Sequence, residues 1–127
     1  MGVSMYSVSY RDLHKEHMNW ISSIKIWKDE IIFLHNLCNS QNHSPNIANL
    51  KEINIDISHH QRLLDNMESQ IHSHESFIKE MLDQGGEDFE ESSATDHDHN
   101  REHMESFKKS VNRLKKKVFK FSSHRLH

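Results

Sequence analysis

A chain of 127 residues, 34% apolar and 28% charged, with 3 Gly, 1 Pro and 1 Cys, is sized for one domain. These counts exclude collagen-like and Pro/Gly-driven disordered chains and a disulfide scaffold, and the longest aliphatic and aromatic run, Ile31–Leu34, is far short of the roughly 18 residues a membrane span needs. A net charge of -3 gives no global attraction to nucleic acid or anionic lipid, so such binding would have to come from a local patch.

The first predicted helix covers residues 9–39. Leu13, His17, Trp20, Ile24, Trp27, Ile31, Leu34 and Cys38 recur at steps of 4 and 3, which is an a/d heptad seam. The second covers 45–84, with Leu50, Ile53, Ile57, His60, Leu64, Met67, Ile71, His74, Ile78 and Met81 in the same rhythm. Ser44 is its expected N-cap and Pro45 its first residue, and Gly85 with Gly86 stops it. An acidic Gly/Ser loop over 85–94 leads to the third helix, 95–123, whose seam runs through His97, Asn100, Met104, Phe107, Val111, Leu114, Val118 and Phe121. Thr95 or Asp96 is its expected cap.

Short connections between long helices make sequential neighbours antiparallel. The expected fold is therefore all-α: an up-down-up bundle of three long helices with coiled-coil-like seams, one domain over 1–127, roughly 40 to 55 Å long at 1.5 Å per residue. Narrow seams with Phe33, Phe77 or Phe89 outside them would allow a homodimer as well as a monomer. The lone Cys38 and an opening without a charged-then-apolar leader lead to the expectation of a reducing, cytoplasmic setting, with no lipidation signal.

The 13 His are the compositional oddity. Turns near residues 42–43 and 90 place His17 beside Ile71 and His74, and His74 beside His103, with His97 and His99 one to two turns nearer the end. His17, His74 and His97 then gather where helix one starts and helix two finishes, with His14, Glu75, His99 and Glu102 around them. His60 lies apart, in the layer of Trp27 and Val118, and reads as a core histidine bonded to Trp27 or a backbone carbonyl. His35, His43, His59, His72, His124 and His127 read as solvated.

The polar residues of the three seams are four His and Asn100, with no Asp, Glu, Lys or Arg. Buried imidazoles need a partner for each ring nitrogen or a depressed pKa, and a transition metal satisfies several at once. His17, His74, His97 and Glu75 are accordingly the candidate metal ligands, with His14, His99, His103 and Glu102 behind them; Zn or Cu suits imidazole before Fe. The competing expectation is that these rings lie near a frayed bundle end, hydrated and bonded to carboxylates, in a non-catalytic structural or interaction bundle with an unknown protein partner and no metal.

His99-Asn100-Arg101-Glu102-His103 matches H-x-x-E-H, a spacing that puts two imidazoles one helical turn apart. Protease chemistry needs a larger fold with a peptide cleft, and is not expected. A di-iron oxidase or oxygen carrier draws ligands from four helices; three are predicted and no Glu-x-x-His pair occurs. No Cys-x-x-Cys-His attaches a haem, so no catalytic residue and no organic cofactor is nominated.

Acids gather before and in the first turns of helix three, whereas Lys108, Lys109, Arg113, Lys115, Lys116, Lys117, Lys120 and Arg125 fill its end. Complementarity to the helix dipole accounts for this polarity. The alternative, contact of the Lys115–Lys117 region with nucleic acid or an anionic membrane, lacks an aromatic stacking platform, because Phe121 is in the seam and Phe119 flanks it.

Tyr10 to Leu37, with His17-x-x-Trp20 and Asp29-Glu30-Ile31, then Ile71 to Glu75, and Asp96-His97 through to Phe107, together resemble a set of small all-helical bacterial proteins to which no activity is assigned. A fainter likeness runs to hemerythrin and ferritin-like bundles. The resemblance covers most of the chain and implies a single helical bundle; it implies no catalytic residue. His17, Asp29, Glu30, His74, Glu75 and His97 fall in the shared pattern, and His14, His99 and His103 fall outside it.

Overall fold

The computed structural model describes residues 9–40, 47–85 and 91–125, without the side chains of 91–96 and 124–125. It contains α1 (Tyr10–Asn39), α2 (Ile47–Asp83) and α3 (Glu91–Arg125). At 1.5 Å per residue these helices are roughly 45 to 55 Å long. No described helix is long and apolar enough to cross a membrane.

Cross-helix pairs set the directions. Lys28 of α1 reaches Asp65 and Glu68 of α2, and Asn39 exchanges two amide hydrogen bonds with Asn54 at 2.9 and 3.0 Å, so α1 and α2 are antiparallel. Glu16 with Arg101 and Glu30 with Lys115 make α1 and α3 parallel. The architecture is the expected all-α, up-down-up three-helix bundle.

The ends of the elements have local causes. Ser9 caps α1 by accepting from the Asp12 N–H at 3.2 Å, which satisfies one of the first-turn donors. Gly85 closes α2 at φ 82°, a left-handed conformation that a residue without Cβ adopts at little cost, and its N–H reaches the Leu82 carbonyl at 3.0 Å. The expected cap at Ser44, the start at Pro45, Gly86 and Phe89 lie outside the described residues. The cap expected at Thr95 or Asp96 is corrected: α3 already begins at Glu91. Residues 91–94 are Glu-Ser-Ser-Ala, with neither Pro nor Gly to stop the helix from starting early, and an acid belongs at a helix N-terminus.

The seams form the core. Ile24, Ile31 and Leu34 of α1 meet Ile57, Leu64 and Ile71 of α2 and Val111, Leu114 and Val118 of α3, all at most 2% exposed. A second, smaller apolar cluster of Tyr10, Leu13 and Ile78, with Met81 and Leu82 against it, closes the end where α1 begins. His60 carries a polar interruption inside the main core. Its Nδ1 donates to the Asp56 carbonyl at 2.8 Å, the backbone bond anticipated for it, and its Nε2 meets the Ser110 hydroxyl at 2.6 Å rather than Trp27.

Candidate functional site

Between the two apolar clusters lies a polar layer. His17 from α1, Glu75 from α2, and His97 and Asn100 from α3 are each no more than 4% exposed. Apolar layers on both sides hold these groups away from water, so their hydrogen bonds must come mainly from one another. The Tyr10, Leu13 and Ile78 cluster covers the layer, so it is not a hydrated end, while its imidazoles are bonded to carboxylates as the competing expectation had them.

Glu75 is its hub. The His17 Nδ1 donates to one Glu75 oxygen at 3.0 Å, and the His14 Nδ1 reaches the other. A neutral His17 that donates from Nδ1 has its lone pair on Nε2. That atom is buried and has no hydrogen-bond partner. On the far side of the layer the His97 Nε2 donates to Glu16 at 2.5 Å, and Arg101 grips both Glu16 oxygens at 2.8 and 2.9 Å while also reaching Asp98. His74, half-buried, accepts from the Asn100 amide at 3.0 Å, and Gln70 donates to the Asn100 oxygen at 3.3 Å. The His17 ring centre is 5.1 Å from that of His97 and 6.3 Å from that of His74, and His97 stacks on Trp20 at 4.7 Å.

Titration follows from this burial. Desolvation lowers the His17 pKa below the ordinary imidazole value, against the raising effect of the Glu75 hydrogen bond, and the nearby His97 adds to the lowering. The His97 pKa is also lowered by burial, with Glu16 pulling it back up. Burial alone would raise the Glu16 carboxyl; the hydrogen bonds from Arg101 and His97, with their charge, hold it below its ordinary range instead.

The structure therefore brings together His17, His74, His97 and Glu75, and adds His14 through Glu75. It does not bring in His99, Glu102 or His103, which are exposed on α3, so the two His and the Glu of the H-x-x-E-H string point away from the layer that the intervening Asn100 enters. The partner of His74 on α3 is Asn100, not His103. The a/d positions hold no acid, as read from the sequence, yet Glu75, one place off that line, is buried as well. The reason is geometric: α2 faces two helices, so its buried stripe is wider than a strict a/d line, with His74 turned to α3 and Glu75 to α1. Among the described residues, no three His, Cys, Asp or Glu side chains are arranged to hold one metal ion.

Glu16, Arg101 and Trp20 belong to the site and went unread as such. A signal was available: Glu16 occupies the g position beside His17, Arg101 the e position beside Asn100, and g–e pairs of opposite charge link neighbouring helices. The basic end of α3 is likewise partly engaged across helices, with Lys115 on Glu30 and Lys117 on Asp56 at 2.8 Å and Glu52 at 3.4 Å.

No family model matches the chain, and neither the curated proteins nor the solved structures include a match to it.

Proposed function

We propose that the bundle binds a transition-metal ion, Zn or Cu before Fe, at the buried imidazole layer through His17, His74 and His97, with Glu75 as orienting carboxylate. The observation that carries this reading is the His17 ring: a carboxylate holds Nδ1, and the Nε2 lone pair is buried without a partner. A metal-binding imidazole characteristically donates its other N–H to a carboxylate, which fixes the ring and raises its basicity. Leaving a buried acceptor unsatisfied costs about 1 to 3 kcal/mol, and a cation at Nε2 removes that cost. Loading requires side-chain rotation, chiefly of His74 away from Asn100. The activity is binding, with no catalytic step.

A second reading rests on the Glu16, His97 and Arg101 network, which pairs its groups without any ligand. Under it the layer sets the register of the three helices in a structural or partner-binding bundle, since buried polar groups can specify one alignment of apolar seams.

Elemental analysis of untagged protein, purified without chelator or added metal, separates the two. Near-stoichiometric metal that is lost in His17→Ala/His74→Ala, but kept when the exposed His59 and His72 are replaced, supports the metal centre. Metal absent from the wild type, with only loose uptake unaffected by the His17/His74 change, rejects it in favour of the structural reading.

A further inference from the structure

α3 rests mainly on α1 and touches α2 least. Between α2 and α3 this leaves an open groove of about 460 Å³. Leu63, Met67 and Phe107 give it apolar walls, Gln70 is polar and uncharged, and His103 and Arg113 stand in its lining, which includes no acid. The α2 residues that line it span 63–70, one heptad, or roughly 10 Å along the axis.

The outer face of α1 carries the complementary pattern. Ile26 and Phe33, one heptad apart, are 58% and 56% exposed. Asp29 lies between them at i+3, exposed on the same face. Two large apolar side chains at i and i+7 with an acid between them are what a helix-receiving groove of this length and charge accommodates.

We propose that the α2–α3 groove of one copy receives the Ile26–Asp29–Phe33 face of α1 from a second copy, with Asp29 against Arg113. In a triangular bundle the outer face of α1 and the α2–α3 groove point in opposite directions. The contact is therefore heterologous: it cannot be returned across a two-fold axis, and each copy that accepts a helix still presents its own. Assembly grows past a dimer. Two apolar anchors and one exposed ion pair make each contact weak, with a Kd on the order of 10 to 100 µM, in the range of small transient interfaces.

The test is sedimentation velocity of the full chain over a concentration series reaching well above that Kd. The expected result is a mass that rises beyond two copies. Arg113→Glu and Asp29→Arg each weaken association at least about tenfold by placing like charges together. An equimolar mixture of the two single variants, and the double variant, restore it. Both positions are exposed, so the far-ultraviolet circular dichroism stays that of the wild type; Phe33→Ser weakens assembly without any change of charge. A monomer at every concentration overturns the proposal, as does a closed dimer. Assembly that Asp29→Arg leaves intact overturns it too, because the groove would then be meeting something other than α1.

Discussion

Replacement of Glu75 by alanine is the sharpest perturbation of the polar layer. Glu75 is 4% exposed and accepts from His14 and His17, and the latter is 1% exposed. Without the carboxylate, His17 Nδ1 loses its acceptor and joins Nε2, which is already buried without a partner. A hydrogen bond to a charged group contributes about 1.5 to 3 kcal/mol, and orphaning a buried donor costs about 1 to 3, much of it the same loss counted from the other side. Glu75→Ala should therefore destabilise by about 3 kcal/mol. Glu75→Gln keeps one oxygen able to accept from Nδ1 and should cost about 1 kcal/mol. The double change His17→Leu/Glu75→Leu removes both polar groups from an enclosed site and should cost less than either single truncation, since apolar pairs can replace buried polar pairs at little loss. Urea unfolding followed by circular dichroism and by the fluorescence of Trp20 and Trp27, on chelator-treated protein, measures these three variants and the single changes His17→Leu and Glu75→Leu. Equal stability of the wild type and Glu75→Ala, or a double variant whose loss is the sum of the two single ones, would refute the reasoning, because coupled neighbours must depart from additivity.

Acid should weaken the fold. The His17 and His97 pKa values are lowered from 6.5 by burial, so the unfolded chain binds more protons once the pH falls below about 6.5. Stability is then level above that value and declines as the pH drops toward the folded-state pKa values; a urea midpoint that is constant over this window counts against the burial argument. Glu16→Ala removes the acceptor of the His97 Nε2 and should cost about 1 to 3 kcal/mol, whereas Arg101→Ala, at a half-exposed ion pair, should cost under about 1, and the reverse order in thermal melts would place the energy in the wrong pair. Leu64→Ala in the main core, at 0% exposure, should cost about 2 to 5 kcal/mol, and a smaller loss would mean that the three helices close around the cavity. Lys28→Ala, at a partly buried pair of surface contacts with Asp65 and Glu68, should change stability by under about 1 kcal/mol, an effect that added salt reduces.

Periodicity made the helices legible, because unbroken steps of 4 and 3 can bury a stripe only on a helix. It also put His17, His74 and His97 near one another, since connections short in sequence limit how far antiparallel neighbours can be offset. The start of α3 differs from the expected one because Glu91-Ser92-Ser93-Ala94 holds no large apolar residue, and seam spacing is silent where no such residue marks the stripe. Glu75 was legible as a member of the site, but its burial was not, for a related reason. It sits one place off the a/d line, and only the presence of two neighbouring helices, each needing a face of α2, turns that place inward.

Fold class, helix count and the set of imidazoles in the seams follow from local spacing, which any amphipathic helix obeys wherever its partners lie. The roof over the polar layer, the choice of Asn100 over His103 as the partner of His74, and the bond from Glu16 to His97 depend on axial offset and rotation between helices. Those are set by how whole side chains interlock across the core. A shift of one turn would leave each helix unchanged and still part every one of these pairs by about 5 Å.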